Sequence, residues 1–285
     1  MYKDKKIIVT GSEGLIGKEL VPQLQALGAK VIRLDIKLGH DLSHKANVDY
    51  LFNLYGPIDY VFHCMGVKGS PQMTKTRPTN FMVPMLQCDT NVITACQEHK
   101  VERMLYTSSI ALLNMETDKY PAWAKATGET LIKAMKEQYP NGTKYCVVRP
   151  ASVYGPHEDW QREGLMFISK MVREAVIEKK GISLWNDGQS VRDVIHAADV
   201  ARVMTEVLQA MPTEWVGVGG TLHKLYDIAF LIAQEAGVPF TINEANTETD
   251  SRTIQRNWTD YIEIKLKEGI MGVVEHVRNN SSNTN

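Results

Sequence analysis

The feature that most constrains this chain is a glycine-rich turn close to its start. Gly11, Gly14 and Gly17 follow a run of apolar residues at 7–9 and precede a helix-like stretch that ends near Leu27. Glycine allows the sharp turn and the close backbone approach that a pyrophosphate requires, and the first amides of the following helix point their N–H groups at that anion. The order strand, glycine turn, helix therefore predicts a dinucleotide site in a βαβ unit, with a purely structural turn as the alternative.

A carboxylate ends the second predicted strand. Asp35 follows the apolar run 31–34 and lies eighteen residues after Gly17. At this place a carboxylate accepts hydrogen bonds from the adenosine ribose and repels a 2′-phosphate. The sequence therefore favours NAD over NADP as the coenzyme.

The rest of the chain first continues this alternation of strands and helices and then departs from it. Strands are predicted at 60–64, 104–106 and 144–148, and helices at 82–99 and 123–139. This pattern is typical of an α/β fold with a doubly wound parallel sheet, the Rossmann fold, followed by a smaller and mostly helical C-terminal lobe. We expect an NAD-binding domain at 1–155, a substrate-binding lobe at 156–278 interleaved with it, and a disordered tail at 279–285.

Composition excludes several classes of function. With 44% hydrophobic and 23% charged residues, the chain is typical of a soluble globular protein, and its net charge of −1 attracts neither nucleic acid nor a membrane surface. The four cysteines lack metal or disulfide spacing, and the start of the chain lacks a signal sequence, so we expect free thiols and a cytoplasmic location. His40 and His44 lack further ligands at usable spacing, and no metal is predicted.

Eight segments in order resemble one known family. They are the glycine turn, Asp35, Asp41-Leu42, His63-Cys64-Met65-Gly66, Thr107-Ser108-Ser109, and the segments 124–129, 149–156 and 188–200. The chain resembles the extended short-chain dehydrogenases/reductases, also called NAD-dependent epimerase/dehydratases, which act on nucleotide-activated sugars. The resemblance implies transient hydride transfer between a sugar carbon, C4, and NAD.

The resemblance also assigns residues to the coenzyme. Asp41 and Leu42 are expected beside the adenine, the segment after the third strand beside ribose and phosphates, and the Arg-Pro stretch beside the nicotinamide and the sugar. The expected contacts are Gly11, Gly14, Leu15, Ile16, Gly17, Asp35, Asp41, Leu42, Cys64, Met65, Gly66, Lys125, Arg149, Pro150 and Ser152.

The catalytic residues match the family with one departure. The family uses a tyrosine as acid/base, a lysine four residues later, and a serine or threonine that orients the substrate hydroxyl; Lys125 and Ser109 fit the last two roles. Pro121 occupies the fourth position before Lys125, and Tyr120 lies five before it, a rotation of about 140° on an ideal helix. Tyr120 remains the candidate if Pro121 is the first helical residue and Tyr120 lies in the cap region; otherwise proton transfer is lost or replaced.

The resemblance further implies a substrate site and a partner. Arg192 is expected to hold the substrate diphosphate, with Ser109 and Ser152 near the sugar, although Arg192 could instead pair with Asp193. The predicted helices 82–99 and 123–139 are where relatives form homodimers. Besides an epimerase or dehydratase, the sequence leaves open a dehydrogenase/reductase that releases NADH and a non-catalytic NAD-binding relative.

Overall fold

A computed structural model describes residues 1–113, 115, 119–184, 187–242, 257–258 and 262–281. Its central element is a six-stranded sheet in the order β2-β1-β3-β4-β5-β9, with every neighbouring pair parallel. The strands are β1 Lys6–Thr10, β2 Lys30–Leu34, β3 Tyr60–His63, β4 Arg103–Thr107, β5 Lys144–Pro150 and β9 Val216–Val218. The order reverses between β1 and β3, as a doubly wound sheet requires.

Helices cover both faces of this sheet. On one face lie α1 Gly17–Ala26 and α7 Ala197–Ala210, and on the other lie α2 Lys45–Tyr55, α4 Thr79–Glu98 and α5 Lys119–Gln138. Side chains alternate along each strand, so Ile7 and Val9 of β1 enter the first core while Ile8 enters the second, and all three are fully buried. Burial on both faces explains why these strands are continuous apolar runs, and it confirms the predicted fold class.

The second lobe packs around a third core. Its strands are β6 Ser152–Tyr154, β7 Ile182–Leu184, β8 Val191–His196, β10 Thr221–Lys224 and β11 Phe240–Ile242; its helices are α3 Pro71–Thr76 at the border, α6 Phe167–Val172, α8 Leu225–Ala236 and α9 Leu266–Ser281. β9 returns from this part of the chain to the main sheet, and the domain bounds stay a prediction.

The C-terminal end of the described chain differs from the sequence prediction. Helix α9 continues to Ser281, so residues 279–281 are helical rather than disordered; Val277 packs in the third core while Ser281 donates to its carbonyl, which extends the helix. The remaining tail, 282–285, lies outside the described residues. Within the described part of the chain, no helix is both long and apolar enough to cross a bilayer.

Candidate functional site

The glycine turn between β1 and α1 has the geometry predicted for it. Gly11 has φ of +66°, and a Cβ at this position would lie 2.8 Å from the carbonyl oxygen of Cys64. A Cβ on Gly17 would overlap the carbonyl oxygen of Gly11. A side chain is thus excluded at Gly11 and Gly17, and this lets the backbone approach a ligand closely at the start of α1.

Asp35 lies beside this turn at the end of β2. Its Oδ2 accepts a hydrogen bond from the backbone N–H of Glu13 at 3.0 Å, and its Oδ1 accepts one from the backbone N–H of Lys37 at 2.9 Å. A carboxylate has about four lone-pair positions, so two more hydrogen bonds can be accepted. Asp35 therefore fixes the turn and still has capacity for ribose hydroxyl groups.

The glycine turn and the Asp35 carboxylate line one cavity of about 560 Å³. Among the residues predicted to contact the coenzyme, its wall contains Gly11, Gly14, Leu15, Ile16, Asp35, Asp41, Leu42, Cys64, Met65 and Gly66. Ser12 Oγ and His40 Nδ1 are buried without a hydrogen-bond partner among the described residues. Because buried polar atoms normally have partners and His40 lines the cavity, its Nδ1 suits a cavity that receives a polar ligand such as a dinucleotide.

A loop of the second lobe, residues 156–164, covers the cavity; we name it the roof loop. Its residues His157, Glu158, Asp159 and Arg162 line the cavity. Asp159 Oδ2 lies 3.0 Å from Lys37 Nζ on one side, and Arg162 Nη1 donates to the Lys68 carbonyl on the other. Sequence reasoning missed this loop because its contacts join residues about a hundred positions apart, and the chain contains no local signal for them.

Lys125 is buried behind the cavity wall. Its Nζ lies 3.1 Å from the carbonyl oxygen of Met65, which lines the cavity, and 3.3 Å from Asp89 Oδ2. The ammonium also lies 4.7 Å from the centroid of the Tyr106 ring. The second Asp89 oxygen, Oδ1, lies 3.5 Å from Nζ, so the three N–H donors of the ammonium face the Met65 carbonyl and the Asp89 carboxylate. A solvated surface lysine, the structural alternative, does not describe this position.

Asp89 joins Lys125 to a wider buried network, the Asp89 cluster of Thr10, His63, Asp89, Tyr106 and Lys125. The Tyr106 hydroxyl donates to Asp89 Oδ2 at 2.5 Å, and His63 Nε2 donates to Asp89 Oδ1 at 2.8 Å. Thr10 Oγ1 lies 2.7 Å from His63 Nδ1 and donates to the neutral ring there. His63 is thus the satisfied core histidine expected from its strand end, whereas no local pattern in the chain points to Asp89.

Burial and charge set the protonation of this cluster. Burial lowers the pKa of His63 and keeps the ring neutral. Burial acts to raise the pKa of Asp89, but the charge of Lys125 and the hydrogen bond from His63 outweigh it, so the pKa of Asp89 is lowered. Burial and the Asp89 carboxylate raise the pKa of Tyr106. The cluster holds one cation and one anion, and Tyr106 is fixed as a neutral donor.

Tyr120 does not lie in a cap region. Helix α5 begins at Lys119, so Tyr120 and Pro121 both belong to its first turn, which corrects the expectation that Pro121 opens the helix. On helical geometry the side chains of Tyr120 and Lys125 leave the axis about 140° apart. The Tyr120 ring is half-buried, and its described contact is with the Lys119 ammonium, 5.7 Å from the ring centroid.

The serines after β4 lie at the expected sheet edge. Ser109 is half-buried, and its Oγ accepts a hydrogen bond from the backbone N–H of Ala111 at 3.0 Å. Its hydroxyl proton is left available for another acceptor. Ser108 is buried and donates to Glu129, so Ser108 has the structural role and Ser109 is the available hydroxyl.

Arg149 does not line the cavity. It forms a bidentate pair with Glu129, with N–O distances of 2.9 and 2.6 Å, and stacks 4.2 Å from the Trp215 ring. Alternation along β5 places Arg149 on the same face as Tyr145 and Val147, which pack in the core under α4 and α5. The guanidinium is engaged within this core face, and its expected contact with the nicotinamide stays a prediction.

The predicted residues Pro150, Ser152 and Arg192 also lie outside the cavity wall. Pro150 is buried at the end of β5, and Ser152 is half-buried at the start of β6. Arg192 lies in β8, where its Nη1 donates to the carbonyl of Val191 at 3.0 Å. Their roles at a coenzyme or substrate remain predictions.

A doubly wound sheet whose first turn and second-strand carboxylate line one covered cavity defines the class of dinucleotide-binding α/β proteins. The chain belongs to the NAD dependent epimerase/dehydratase family, whose model matches residues 7–218. The family predicted from the sequence is thereby confirmed, and the family description names the predicted coenzyme.

Curated relatives cover nearly the whole chain. GDP-L-fucose synthase 1 of Arabidopsis thaliana is 25% identical over 300 residues, which cover 94% of this chain and 91% of that protein. A dTDP-4-dehydro-6-deoxy-D-allose reductase of Streptomyces sp is 25% identical over 274 residues, covering 84% and 83%.

Solved structures show the same fold. The UDP-glucose 4-epimerase of Thermus thermophilus, in complex with NAD, has a TM-score of 0.79 at 23% identity, over 96% of this chain and 99% of that chain. The GDP-mannoheptose C4 reductase of Campylobacter jejuni, with NADP bound, has a TM-score of 0.80 at 19% identity, over 96% and 98%.

Proposed function

We propose that this chain binds NAD in the 560 Å³ cavity and transfers a hydride reversibly at C4 of a nucleotide-activated sugar, as an epimerase/dehydratase-type oxidoreductase. The observation that carries the proposal is the meeting of the glycine turn, Asp35 and the strand-end residues Cys64–Gly66 in one covered cavity. A dinucleotide fits this combination because its pyrophosphate, ribose and base require these three surfaces together.

The coenzyme assignment depends on Asp35. Solved neighbours hold NAD in one case and NADP in another, so the fold alone leaves the choice to this chain's own residues. A buried carboxylate that can still accept ribose hydroxyl groups favours NAD, since a 2′-phosphate would meet a like charge.

The chain's residues then take three roles. When bound, NAD supplies a reversible hydride acceptor. We assign the orientation of the sugar hydroxyl to Ser109, the holding of the nicotinamide ribose to Lys125, and proton transfer to Tyr120. Supporting these roles are the available Ser109 hydroxyl and the position of Lys125, whose Nζ lies 3.1 Å from the carbonyl oxygen of Met65 in the cavity wall.

The substrate assignment draws on the relatives. Their names specify GDP-, dTDP- and UDP-linked sugars, which share a nucleoside diphosphate joined to a sugar. We propose the same substrate class here, with Ser152 near the sugar and Arg192 at the diphosphate, whose oxygens match a planar guanidinium.

We further propose a cytoplasmic homodimer, assembled through α4 and α5, where Val83 and Trp123 are 46% and 51% exposed.

A second candidate is a protein that binds NAD without turnover. The specific observation in its favour is the direction of Tyr120, about 140° from Lys125, combined with the pairing of Lys125 with Asp89. A dehydrogenase/reductase that releases NADH is the third reaction type compatible with the same site.

One experiment separates these candidates. Protein and an excess of NAD are mixed with GDP-, dTDP- and UDP-sugars while the near-ultraviolet absorbance of reduced nicotinamide and the sugar products are followed. Epimerisation or dehydration gives product without lasting absorbance, and a dehydrogenase gives absorbance that grows with turnover. Bound NAD with neither signal across all sugars identifies the non-catalytic candidate.

Tyr120→Phe tests the proton-transfer role. Loss of an acid/base group lowers turnover by about a hundredfold or more, while the NAD dissociation constant stays unchanged. Tyr139→Phe, at a tyrosine after the end of α5, is the matched control and should retain full turnover. Near-normal turnover in Tyr120→Phe would remove Tyr120 from the mechanism.

A further inference from the structure

Two cations stand close to Asp35, and both are engaged by carboxylates. Lys37 follows Asp35 by two residues and lines the same cavity, yet its Nζ lies 3.0 Å from Asp159 Oδ2 of the roof loop. Arg33, on β2, pairs with Glu13 of the glycine turn. A nearby arginine is what accommodates a 2′-phosphate in NADP-binding relatives of this fold. Here the two cations are already paired.

The resulting charge opposes a 2′-phosphate. Asp35, Glu13 and Asp159 supply three negative charges against the two positive charges of Lys37 and Arg33, which leaves a net charge of −1 around the Asp35 carboxylate. The Lys37 hydrogen bond lowers the pKa of Asp159, so this acid remains charged at neutral pH. A neutral ribose hydroxyl is unaffected by this balance, whereas a phosphate dianion is repelled.

We propose that Asp159 is a coenzyme-selectivity residue: by pairing with Lys37 it occupies the cation that would otherwise bind a 2′-phosphate beside Asp35. The selectivity for NAD is thus divided between the two lobes. Asp35, directly after β2, repels a 2′-phosphate, and Asp159 on the roof loop engages the Lys37 ammonium that could otherwise neutralise that phosphate. This inference rests on the proposed NAD site. It adds to that site a residue about 120 positions away in the chain.

A purely structural role for Asp159 makes a different prediction. If the Lys37–Asp159 pair merely holds the roof loop closed, its loss weakens both coenzymes by the same factor. If the pair masks Lys37, its loss improves binding of the 2′-phosphorylated coenzyme alone. The ratio of the two dissociation constants therefore distinguishes selectivity from roof closure.

The test is calorimetric titration of coenzyme-free protein with NAD and NADP at low ionic strength. In Asp159→Asn, which keeps the side-chain shape, NADP should bind about tenfold more tightly, and NAD should change by less than about twofold. The gain should shrink in high salt, because the pair is exposed and screened.

Two controls locate the effect. Glu163→Gln removes another roof-loop acid, whose Oε2 lies 3.4 Å from Arg77 Nη1 and which does not line the cavity. This variant should leave the ratio of the NAD and NADP dissociation constants unchanged. Adding Lys37→Met to Asp159→Asn should abolish the gain for NADP, because the unmasked cation is then absent.

The outcomes separate this inference from the proposed function. Both coenzymes binding to the wild type, with an unchanged ratio in Asp159→Asn, would overturn the selectivity role alone. A gain that persists without Lys37 would do the same. Wild-type protein that binds neither coenzyme would overturn the proposed function, and this inference with it.

Discussion

At the scale of single residues, Asp89 is the most consequential side chain that sequence reasoning did not identify. It is 1% exposed and contacts His63, Tyr106 and Lys125 at once. A carboxylate in the middle of a helix resembles many surface acids in the sequence, and burial is decided by partners from three other elements. Asp89 holds in place Lys125, the lysine that the sequence did identify.

Removing Asp89 should be costly. Asp89→Ala leaves the Lys125 ammonium buried without its counter-charge, and we expect a loss of about 3–5 kcal/mol in the free energy of unfolding, measured by denaturant titration. Asp49→Ala removes a half-buried acid that pairs with Lys45 in an i,i+4 pair near the surface and should cost less than about 0.5 kcal/mol. Equal losses in the two variants would contradict the central role of Asp89.

Gly17 offers a sharper test of the glycine turn. Gly17→Ala places a methyl group against the Gly11 carbonyl, so the turn must shift, and we expect NAD binding to fall by at least about tenfold with reduced stability. The control is Gly272→Ala, because a Cβ there meets nothing within 4 Å and alanine favours the α9 helix. Calorimetry with NAD measures the first effect; unchanged affinity in Gly17→Ala would contradict the site.

At the scale of elements, the Asp89 cluster joins five of them: β1, β3, α4, β4 and α5. His63 is central to this because its ring connects Thr10 on β1 with Asp89 on α4. Burial lowers the pKa of His63 from 6.5 in the folded state. Below pH 6.5 this histidine is therefore protonated in the unfolded chain while it stays neutral in the folded chain. These elements are therefore held together less strongly in acid.

The sign of this pH dependence is testable. The free energy of unfolding should fall as the pH drops below about 6.5, because the unfolded state binds more protons. His157, His196 and His223 also have lowered pKa values and contribute with the same sign. In His63→Gln the slope between pH 6 and pH 5 should decrease by about one proton. The control is the same substitution at the exposed His44. An unchanged slope of the unfolding free energy against pH in His63→Gln would contradict the interpretation.

Elements also show what the sequence can and cannot predict. Five of the six strands of the main sheet, the glycine turn and Asp35 were predictable because each depends on a local apolar run or on its position at a strand end, whereas Asp41 and Cys64–Gly66 were assigned through the family resemblance. The pairing of Arg149 with Glu129 was not predictable, because one step along a strand changes the face. The roof loop and Asp89 were missed because their partners are distant in the chain, and the start of α5 depends on packing as well as on Pro121.

At the scale of the whole molecule, the roof loop brings the second lobe to the cavity proposed for NAD, so coenzyme binding should stabilise both lobes together. At a concentration of NAD about a hundred times its dissociation constant, binding adds roughly 2.7 kcal/mol, and we expect Tm to rise by about 4–5 °C. Calorimetric unfolding should show one transition shifted as a unit. Asp35→Ala should lose most of the shift and Asp49→Ala none of it; an NAD-independent Tm in the wild type would contradict the site.

The return of β9 to the main sheet has a consequence for how this chain can be divided. The strand comes from the C-terminal half but pairs with β5 along residues 148–150. A fragment ending at residue 155 would leave the backbone amides and carbonyls of β5 open at a margin, where another polypeptide can add itself as a strand. Such a fragment should therefore self-associate rather than survive as an independent module.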